Sequence, residues 1–229
     1  MKQLTVTLSV HERLWGLIYL ALQIFLIPAL LPVIDLFFDL HLSSAQLNFL
    51  FFCINFFCVV MLFRNFIWNN GKIALKKPVN IILTAIGVYY AYSISSLVVT
   101  TLINTLYPQF YNVNDSYVSS MVADDFPLMI IGTTLLVPLT EEVLYRGLIF
   151  GGLYNRSKLL AYAVSTLAFA ALHVISYIGM YPSEHLLICL IEYIPAGICL
   201  GWAYAMSDSI WTPILIHTTV NSLAVFAMR

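Results

Sequence analysis

The sequence predicts an all-α, polytopic membrane protein: a bundle of about seven transmembrane helices with a cytoplasmic N-terminus. Composition, the length of the apolar runs and the distribution of charge each support this fold class. The 229 residues are 61% hydrophobic and 9% charged, and the mean hydropathy is +0.91. Because soluble domains carry roughly 25% charged residues, a soluble globular protein is excluded. The net charge of −1, without a basic stripe, also argues against nucleic acid as a partner.

Continuous apolar runs are long enough to cross a bilayer as helices, which need about 20 residues each. Helices are favoured over barrel strands, which are shorter and alternate in polarity. The predicted spans are 14–34, 45–68, 79–106, 128–150, 159–178, 186–206 and 210–228. Turn residues or charges separate them, as in Asn69-Asn70-Gly71. We predict one integral domain in two parts, a three-span N-terminal region with an outer loop (1–127) and a helical core (128–229).

The positive charges predict the orientation. With the N-terminus in the cytoplasm, all Lys and Arg except Arg229 fall on the cytoplasmic side. These are Lys2, Arg13, Arg64, Lys72, Lys76, Lys77, Arg146, Arg156 and Lys158. The opposite loops are acidic, including the polar segment 107–127. This asymmetry matches the positive-inside rule and predicts an integral membrane protein with a cytoplasmic N-terminus. We expect the membrane to be a bacterial plasma membrane.

Ionisable residues inside the predicted spans are few, and each costs about 3 kcal/mol or more at bilayer depth. They are Glu141, Glu142, Arg146, His173, Glu192 and His217. Such residues are usually functional. Glu192 lies far in the sequence from the other two acids. We expect it to hydrogen-bond a neighbouring helix or line a cavity.

Glu142 and Arg146 are four residues apart on a helix, so they can pair. Glu141 points about 100° away from Glu142, on the face shared with Tyr145. Glu141 therefore lacks an internal partner, which suits a general base. Pro138, just before, frees a backbone carbonyl and can kink the span. The structural alternatives are an ion pair that holds the helix end and, for Glu141, a side chain reaching the interface.

Two further i, i+4 pairs carry polar groups, Phe169 with His173 and His217 with Asn221. Each alone fits an interhelical hydrogen bond. Together with Glu141, these polar groups predict that the three helices that carry them converge on one water-filled cavity.

The expected depths of these side chains disagree. At 1.5 Å per residue, His217 lies about 10 Å, Glu141 about 15 Å and His173 about 22 Å from the cytoplasmic face. A common cavity then requires a tilted fifth helix or a re-entrant segment through Gly151-Gly152.

Three patterns resemble the motifs of the CPBP (Abi) family, which comprises type II CAAX-processing endopeptidases and bacteriocin-processing proteins. They are Glu141-Glu142-x-x-x-Arg146, Phe169-x-x-x-His173 and His217-x-x-x-Asn221, within roughly residues 128–226. The resemblance implies a membrane-embedded endopeptidase that opens toward the cytoplasm and cuts a membrane-associated peptide or lipidated protein. Serine and aspartyl intramembrane proteases fit less well, because no Gly-x-Ser site or pair of intramembrane aspartates is present.

The resemblance also implies roles for the residues. Glu141 with His173 would activate a water, His217 and Asn221 would stabilise the oxyanion, and Glu142 and Arg146 would support the site. A three-ligand zinc site from Glu141, His173 and His217 stays open, although no HExxH motif is present and no cofactor is favoured. The alternative function is a non-catalytic membrane protein that confers immunity in a bacteriocin system by binding.

Overall fold

The computed structural model describes residues 3–229, which form a bundle of nine helices without a β-strand. The helices are α1 (Val10–Phe38), α2 (Ser44–Leu62), α3 (Arg64–Lys76), α4 (Pro78–Leu106), α5 (Val113–Asp124), α6 (Phe126–Tyr154), α7 (Lys158–Ile175), α8 (Ser183–Ser207) and α9 (Trp211–Ala227). Six of these are long and apolar enough to cross a membrane: α1, α2, α4, α6, α7 and α8. The seventh predicted span is α9, whose 17 residues are at the short end of the spanning range. The predicted all-α polytopic bundle is confirmed.

Polar side chains cap the N-terminal ends of the first two spanning helices, α1 and α2. Ser9 accepts a hydrogen bond from the Glu12 backbone N–H, and the Glu12 carboxylate accepts one from the Ser9 N–H at 2.8 Å. Ser43 and Gln46 form the same reciprocal arrangement at the start of α2. Each pair satisfies backbone donors that a helix start leaves free.

The predicted break at Asn69-Asn70-Gly71 is wrong, because these residues lie inside α3. The chain breaks instead at Phe63, so the second span ends at Leu62 and not at residue 68. Asn70 is fully buried: its amide donates to the Phe66 carbonyl, and its side-chain oxygen accepts from the Ile210 N–H at 3.1 Å. Tertiary contacts to the start of α9 thus override the local turn preference of Asn-Gly.

Two further expectations need correction. The segment 107–127, expected as a loop, contains helix α5, which Asn112 caps by accepting from the Asp115 N–H. The re-entrant segment at Gly151-Gly152 does not form, because both residues are helical and α6 continues to Tyr154.

Helix α6 departs from regular α-helical geometry just before Pro138, where residues Gly132–Leu136 form a π-helical turn. Proline has no N–H and leaves carbonyls of the preceding turn unpaired. Two side chains of α9 use them: Thr218 donates to the Thr134 carbonyl and Asn221 to the Thr133 carbonyl, each at 2.9 Å. The carbonyl that Pro138 was predicted to free is therefore a docking point for α9.

Hydrogen bonds near helix termini mark the two ends of the bundle. At the inner end, Leu4 exchanges hydrogen bonds with the Asn155 side chain, and the Thr5 N–H donates to Asp208 at 2.8 Å. At the outer end, the Ala45 N–H donates to Asp124. The names follow the predicted orientation, in which the N-terminus is cytoplasmic.

Helices α7 and α8 approach closely at Gly197. A Cβ atom there would lie 2.5 Å from Thr166 Cγ2 and 2.9 Å from Thr166 Cα. The second contact is to backbone, so it cannot be relieved by a rotamer change. Gly197 is therefore required for the close packing of these two helices.

We expect Gly197→Ala to lower the stability of the folded protein by about 1–3 kcal/mol, the usual cost of overpacking. The matched control is Gly87→Ala, since a Cβ at Gly87 meets no atom within 4 Å. Thermal unfolding of the detergent-solubilised variants measures the difference. Equal midpoints for the two variants would contradict the close approach.

Candidate active site

A cavity of about 530 Å³ is lined by all four residues predicted to be catalytic: Glu141, His173, His217 and Asn221. They come from α6, α7 and α9. The structure therefore brings together the side chains that the three separated motifs predict. The supporting residues Glu142 and Arg146 lie behind the cavity wall, each with no solvent exposure.

The adjacent carboxylates Glu141 and Glu142 face different surroundings. Glu142 Oε1 pairs with Arg146 Nη1 at 3.1 Å and accepts a hydrogen bond from His217 Nδ1 at 2.8 Å. Glu141 Oε2 makes no hydrogen bond and lies 4.0 Å from His217 Nε2. The Glu142–Arg146 pair matches the predicted i, i+4 pairing, whereas the Glu142–His217 bond was not predicted from the sequence.

Arg146 of α6 contacts two other spanning helices, α7 and α8. Besides Glu142, its guanidinium donates to the Ala196 and Gly197 carbonyls of α8, both at 3.4 Å. It also lies over the Phe169 ring of α7, 4.2 Å from the centroid. The Phe169 ring therefore contacts the buried cation and also packs against both cavity-lining histidines, with ring centroids 4.8 Å from His173 and 5.9 Å from His217.

The orientation of both histidines follows from their Nδ1 partners. A carboxylate oxygen accepts from Nδ1 of His217, and the Phe169 carbonyl accepts from Nδ1 of His173 at 2.9 Å. Since both Nδ1 atoms donate, Nε2 of each ring is left for the cavity, where it accepts a hydrogen bond when the ring is neutral and donates one when the ring is protonated. Both histidines are therefore oriented to use Nε2 in the cavity.

Tyr193 is a cavity residue that no motif indicates. Its ring stacks on His173 with centroids 4.1 Å apart and an interplanar angle of 22°. Its hydroxyl donates to Asp115 of α5 at 3.1 Å and accepts from Asn114 at 3.1 Å. The residue sits where α8 is interrupted between Glu192 and Ile194. The following Pro195 was the only sequence signal for this break.

Asn221 has a defined amide orientation. Its nitrogen faces the Thr133 carbonyl, which can only accept. One of the two amide hydrogens is used there, so the other remains for a ligand in the cavity.

The cavity extends from the middle of the bundle to the outer end. Beyond the four polar residues, its walls include Ser44, Asn114, Ser176 and Met228. His173 is two residues from the end of α7 at Ile175, so its position is shallow when measured from the outer end. The three side chains nevertheless line one cavity, so depths counted along the sequence from the helix ends did not predict their relative heights.

Glu192 lies outside this cavity. It accepts hydrogen bonds from Thr100 of α4 at 3.3 Å and from Asn112 at 2.8 Å. The expectation that this acid hydrogen-bonds a neighbouring helix is confirmed.

The candidate ligands Glu141, His173 and His217 do not form a metal-binding group as they stand. Within residues 3–229, no group of three or more His, Cys, Asp or Glu side chains is arranged to hold a metal ion. A catalytic zinc site takes three protein ligands and an open position. The arrangement of these donors therefore does not fit zinc.

Comparisons with known proteins agree with the motifs. Residues 123–223 match the family model of Rce1-like type II CAAX prenyl endopeptidases. The chain is 32% identical over 100 residues to YdiL of Bacillus subtilis (strain 168), named as a membrane peptidase; the match covers 43% of this chain and 36% of that protein. It is 28% identical over 117 residues to the membrane-embedded CAAX protease MroQ of Staphylococcus aureus (strain USA300), covering 46% and 41%.

A third similar protein is the UPF0177 protein YxdF of Lactococcus lactis, 27% identical over 95 residues, with 42% of this chain and 47% of that protein covered. The chain thus spans less than half the length of these curated relatives. No solved structure matches it. The matched residues 123–223 contain α6 to α8 and most of α9, with every predicted site residue. The resemblance predicted from the three motifs is confirmed: residues 123–223 of this membrane protein are similar to the Rce1-like type II CAAX prenyl endopeptidases.

Proposed function

We propose that the protein is an integral membrane endopeptidase of a bacterial plasma membrane, and that it hydrolyses a peptide bond in a membrane-associated peptide or lipidated protein. The observation that supports this most is the single cavity shared by Glu141, His173, His217 and Asn221. Peptide hydrolysis needs a base for water and donors for an oxyanion, and this cavity holds both types of group.

In the proposed reaction, Glu141 accepts a proton from a water held in the cavity. His173 orients that water, since its Nε2 is free to accept a hydrogen bond. The water oxygen adds to the scissile carbonyl carbon. As the C–N bond breaks, the proton held by Glu141 passes to the leaving amine.

The carbonyl oxygen becomes negative when the water adds. The second amide hydrogen of Asn221 donates to it, and protonated His217 donates through Nε2. The Glu142 carboxylate at Nδ1 stabilises that protonated imidazole. Losing one such donor typically costs about 10²–10³ in kcat.

The direct test uses the purified full chain in lipid vesicles with two peptide probes, a prenylated CAAX peptide and the same peptide without the prenyl group. Mass spectrometry detects the new termini. Cleavage of either supports the endopeptidase, and the ratio reports whether lipid is recognised. If neither is cut by folded protein, and no membrane peptide of the native cells changes when the protein is removed, the non-catalytic immunity function is favoured instead.

Removal of metal ions by a chelator tests whether cleavage depends on a metal. Because the described donors form no three-ligand group, we expect cleavage to persist after dialysis against EDTA. Loss of cleavage that added zinc restores would show that the donors rearrange around a metal ion.

Tyr193 is expected to act as a positioning residue for His173. Tyr193→Leu removes the stacked ring, worth about 0.5–1.5 kcal/mol, so we expect kcat to fall about threefold to tenfold. Tyr193→Phe keeps the ring and should recover most of that loss. If the two variants are equally impaired at equal stability, the hydroxyl contacts to α5 matter more than stacking.

A further inference from the structure

We propose that Gln23 of α1 is a substrate-binding residue, whose side-chain amide hydrogen-bonds the main chain of the bound peptide beside Glu141. This inference rests on the proposed peptidase function, because it takes the ligand of the cavity to be a peptide. Gln23 lies outside the three motifs and outside residues 123–223, which the family model matches.

Gln23 is a buried polar side chain within an apolar span. It is 4% exposed and belongs to the 29-residue helix α1. An amide that is buried without a hydrogen bond costs free energy, so buried polar groups in proteins are normally paired. Within residues 3–229, the Gln23 side chain has no hydrogen-bond partner. Its donors and its acceptor are therefore left for a ligand.

The surroundings of Gln23 place it beside the proposed base. Gln23 lines the same cavity as Glu141 and lies close to the Tyr145 hydroxyl of α6. That hydroxyl is buried without a hydrogen bond to Gln23 or to any other group, and Glu141 Oε2 is also unpaired. Tyr145 follows Glu141 by about one helical turn. Three polar groups without partners thus lie together, which indicates that a polar ligand binds between them.

Other amides of the cavity wall already have partners within the protein. Asn114 donates to the Tyr193 hydroxyl at 3.1 Å, and Asn221 donates to the Thr133 carbonyl at 2.9 Å. These contacts connect helices, so they contribute to the fold whether or not a ligand is bound. Gln23 makes no contact of this kind.

The backbone of α1 is irregular at Gln23. Residues Leu22–Leu26 form a π-helical turn just before Pro28. The π-helical turn Gly132–Leu136 of α6 likewise precedes a proline, and it carries the cavity-lining residue Thr133. Single π-helical turns inside α-helices occur frequently at functional sites. Two helices therefore present polar side chains from such turns to the same cavity.

The chemistry of the side chain indicates which part of a peptide it binds. A glutamine amide offers one acceptor oxygen and two N–H donors without net charge. A peptide unit offers the complementary C=O and N–H groups, so the two can form a pair of hydrogen bonds. Ile24, Pro28 and Leu31 of the same helix also line the cavity. Helix α1 then holds the main chain through Gln23 and contacts apolar side chains through these three residues.

Peptide binding by the inactive Glu141→Gln protein tests the proposal without cleavage. The full chain in lipid nanodiscs is titrated into a fluorescently labelled, prenylated CAAX peptide, and fluorescence anisotropy gives Kd. We expect the added substitution Gln23→Met to weaken binding about fivefold to a hundredfold, because a buried peptide group loses its partner. Methionine has a similar length and replaces an unpaired polar group, so the unfolding midpoint should stay the same or rise.

The matched control is Tyr19→Phe, one helical turn earlier on α1. The Tyr19 hydroxyl donates to Asn55 Oδ1 at 2.6 Å, and Tyr19 does not line the cavity. This variant should lower the unfolding midpoint and leave Kd unchanged.

A scan of the peptide with single N-methyl groups tests whether Gln23 binds the main chain. We expect one position at which methylation weakens binding to the protein with Gln23 and not to the Gln23→Met variant. Such coupling between the two changes identifies the peptide group that pairs with the amide.

Equal Kd values with and without Gln23→Met, or a scan without coupling, would overturn the proposal and leave the peptidase function intact. Absence of peptide binding, or loss of folding in both Gln23→Met and Gln23→Leu, would overturn it as well. Failure of the peptidase function has a separate readout, the absence of cleavage by the unsubstituted chain. Peptide binding that depends on Gln23 would still support the proposal in that case.

Discussion

Glu141→Gln is expected to abolish peptide hydrolysis while the protein still accumulates in the membrane. The amide has nearly the same shape as the carboxylate but cannot accept the proton of the attacking water. Loss of a general base typically lowers the rate by about 10²–10⁴. Glu141 Oε2 makes no hydrogen bond in the folded protein and lies 4.0 Å from His217 Nε2, so the substitution removes little packing and no hydrogen bond.

The matched control is Glu192→Gln, the same change at an acid within α8 that lies outside the cavity. Peptide products are quantified by mass spectrometry, and membrane levels by immunoblotting. If processing or cellular protection survives Glu141→Gln at normal protein levels, hydrolysis is not the function and a binding role replaces it.

Arg146→Met is expected to destabilise the fold strongly. The guanidinium is fully buried, pairs with Glu142 and bonds two α8 carbonyls. Removing one partner of a buried ion pair costs about 3–5 kcal/mol, because the other charge stays buried without compensation. We expect a lower unfolding midpoint in detergent and reduced accumulation in cells.

Two further variants distinguish the effect of losing the buried ion pair from the effect of losing an arginine side chain. Arg156→Met removes an exposed arginine at the inner end and should leave the midpoint unchanged. The double variant Glu142→Gln/Arg146→Met removes both buried charges and should recover part of the stability. It should remain inactive, because His217 then lacks the carboxylate at Nδ1. A double variant less stable than Arg146→Met alone would contradict the role of the ion pair.

The predicted site residues lie together in the structure because motif spacing follows helical geometry. Glu142 and Arg146 pair, and His217 and Asn221 line one cavity, since residues four apart share a helix face. Tyr193 was missed because its role depends on an interruption of α8 and on contacts with α5, and neither leaves a periodic pattern.

The sequence by itself determined the membrane class, the approximate spans and the set of polar side chains inside them. Those properties follow from local composition and helical repeat, because the bilayer penalises every unpaired polar group separately. Only the tertiary structure decided which carboxylate takes which partner and which side chains of α1 and α2 line the cavity. Both depend on the packing of α6, α7 and α9 against α1, α2 and α5, and contacts between helices far apart in the chain are not encoded in any local pattern.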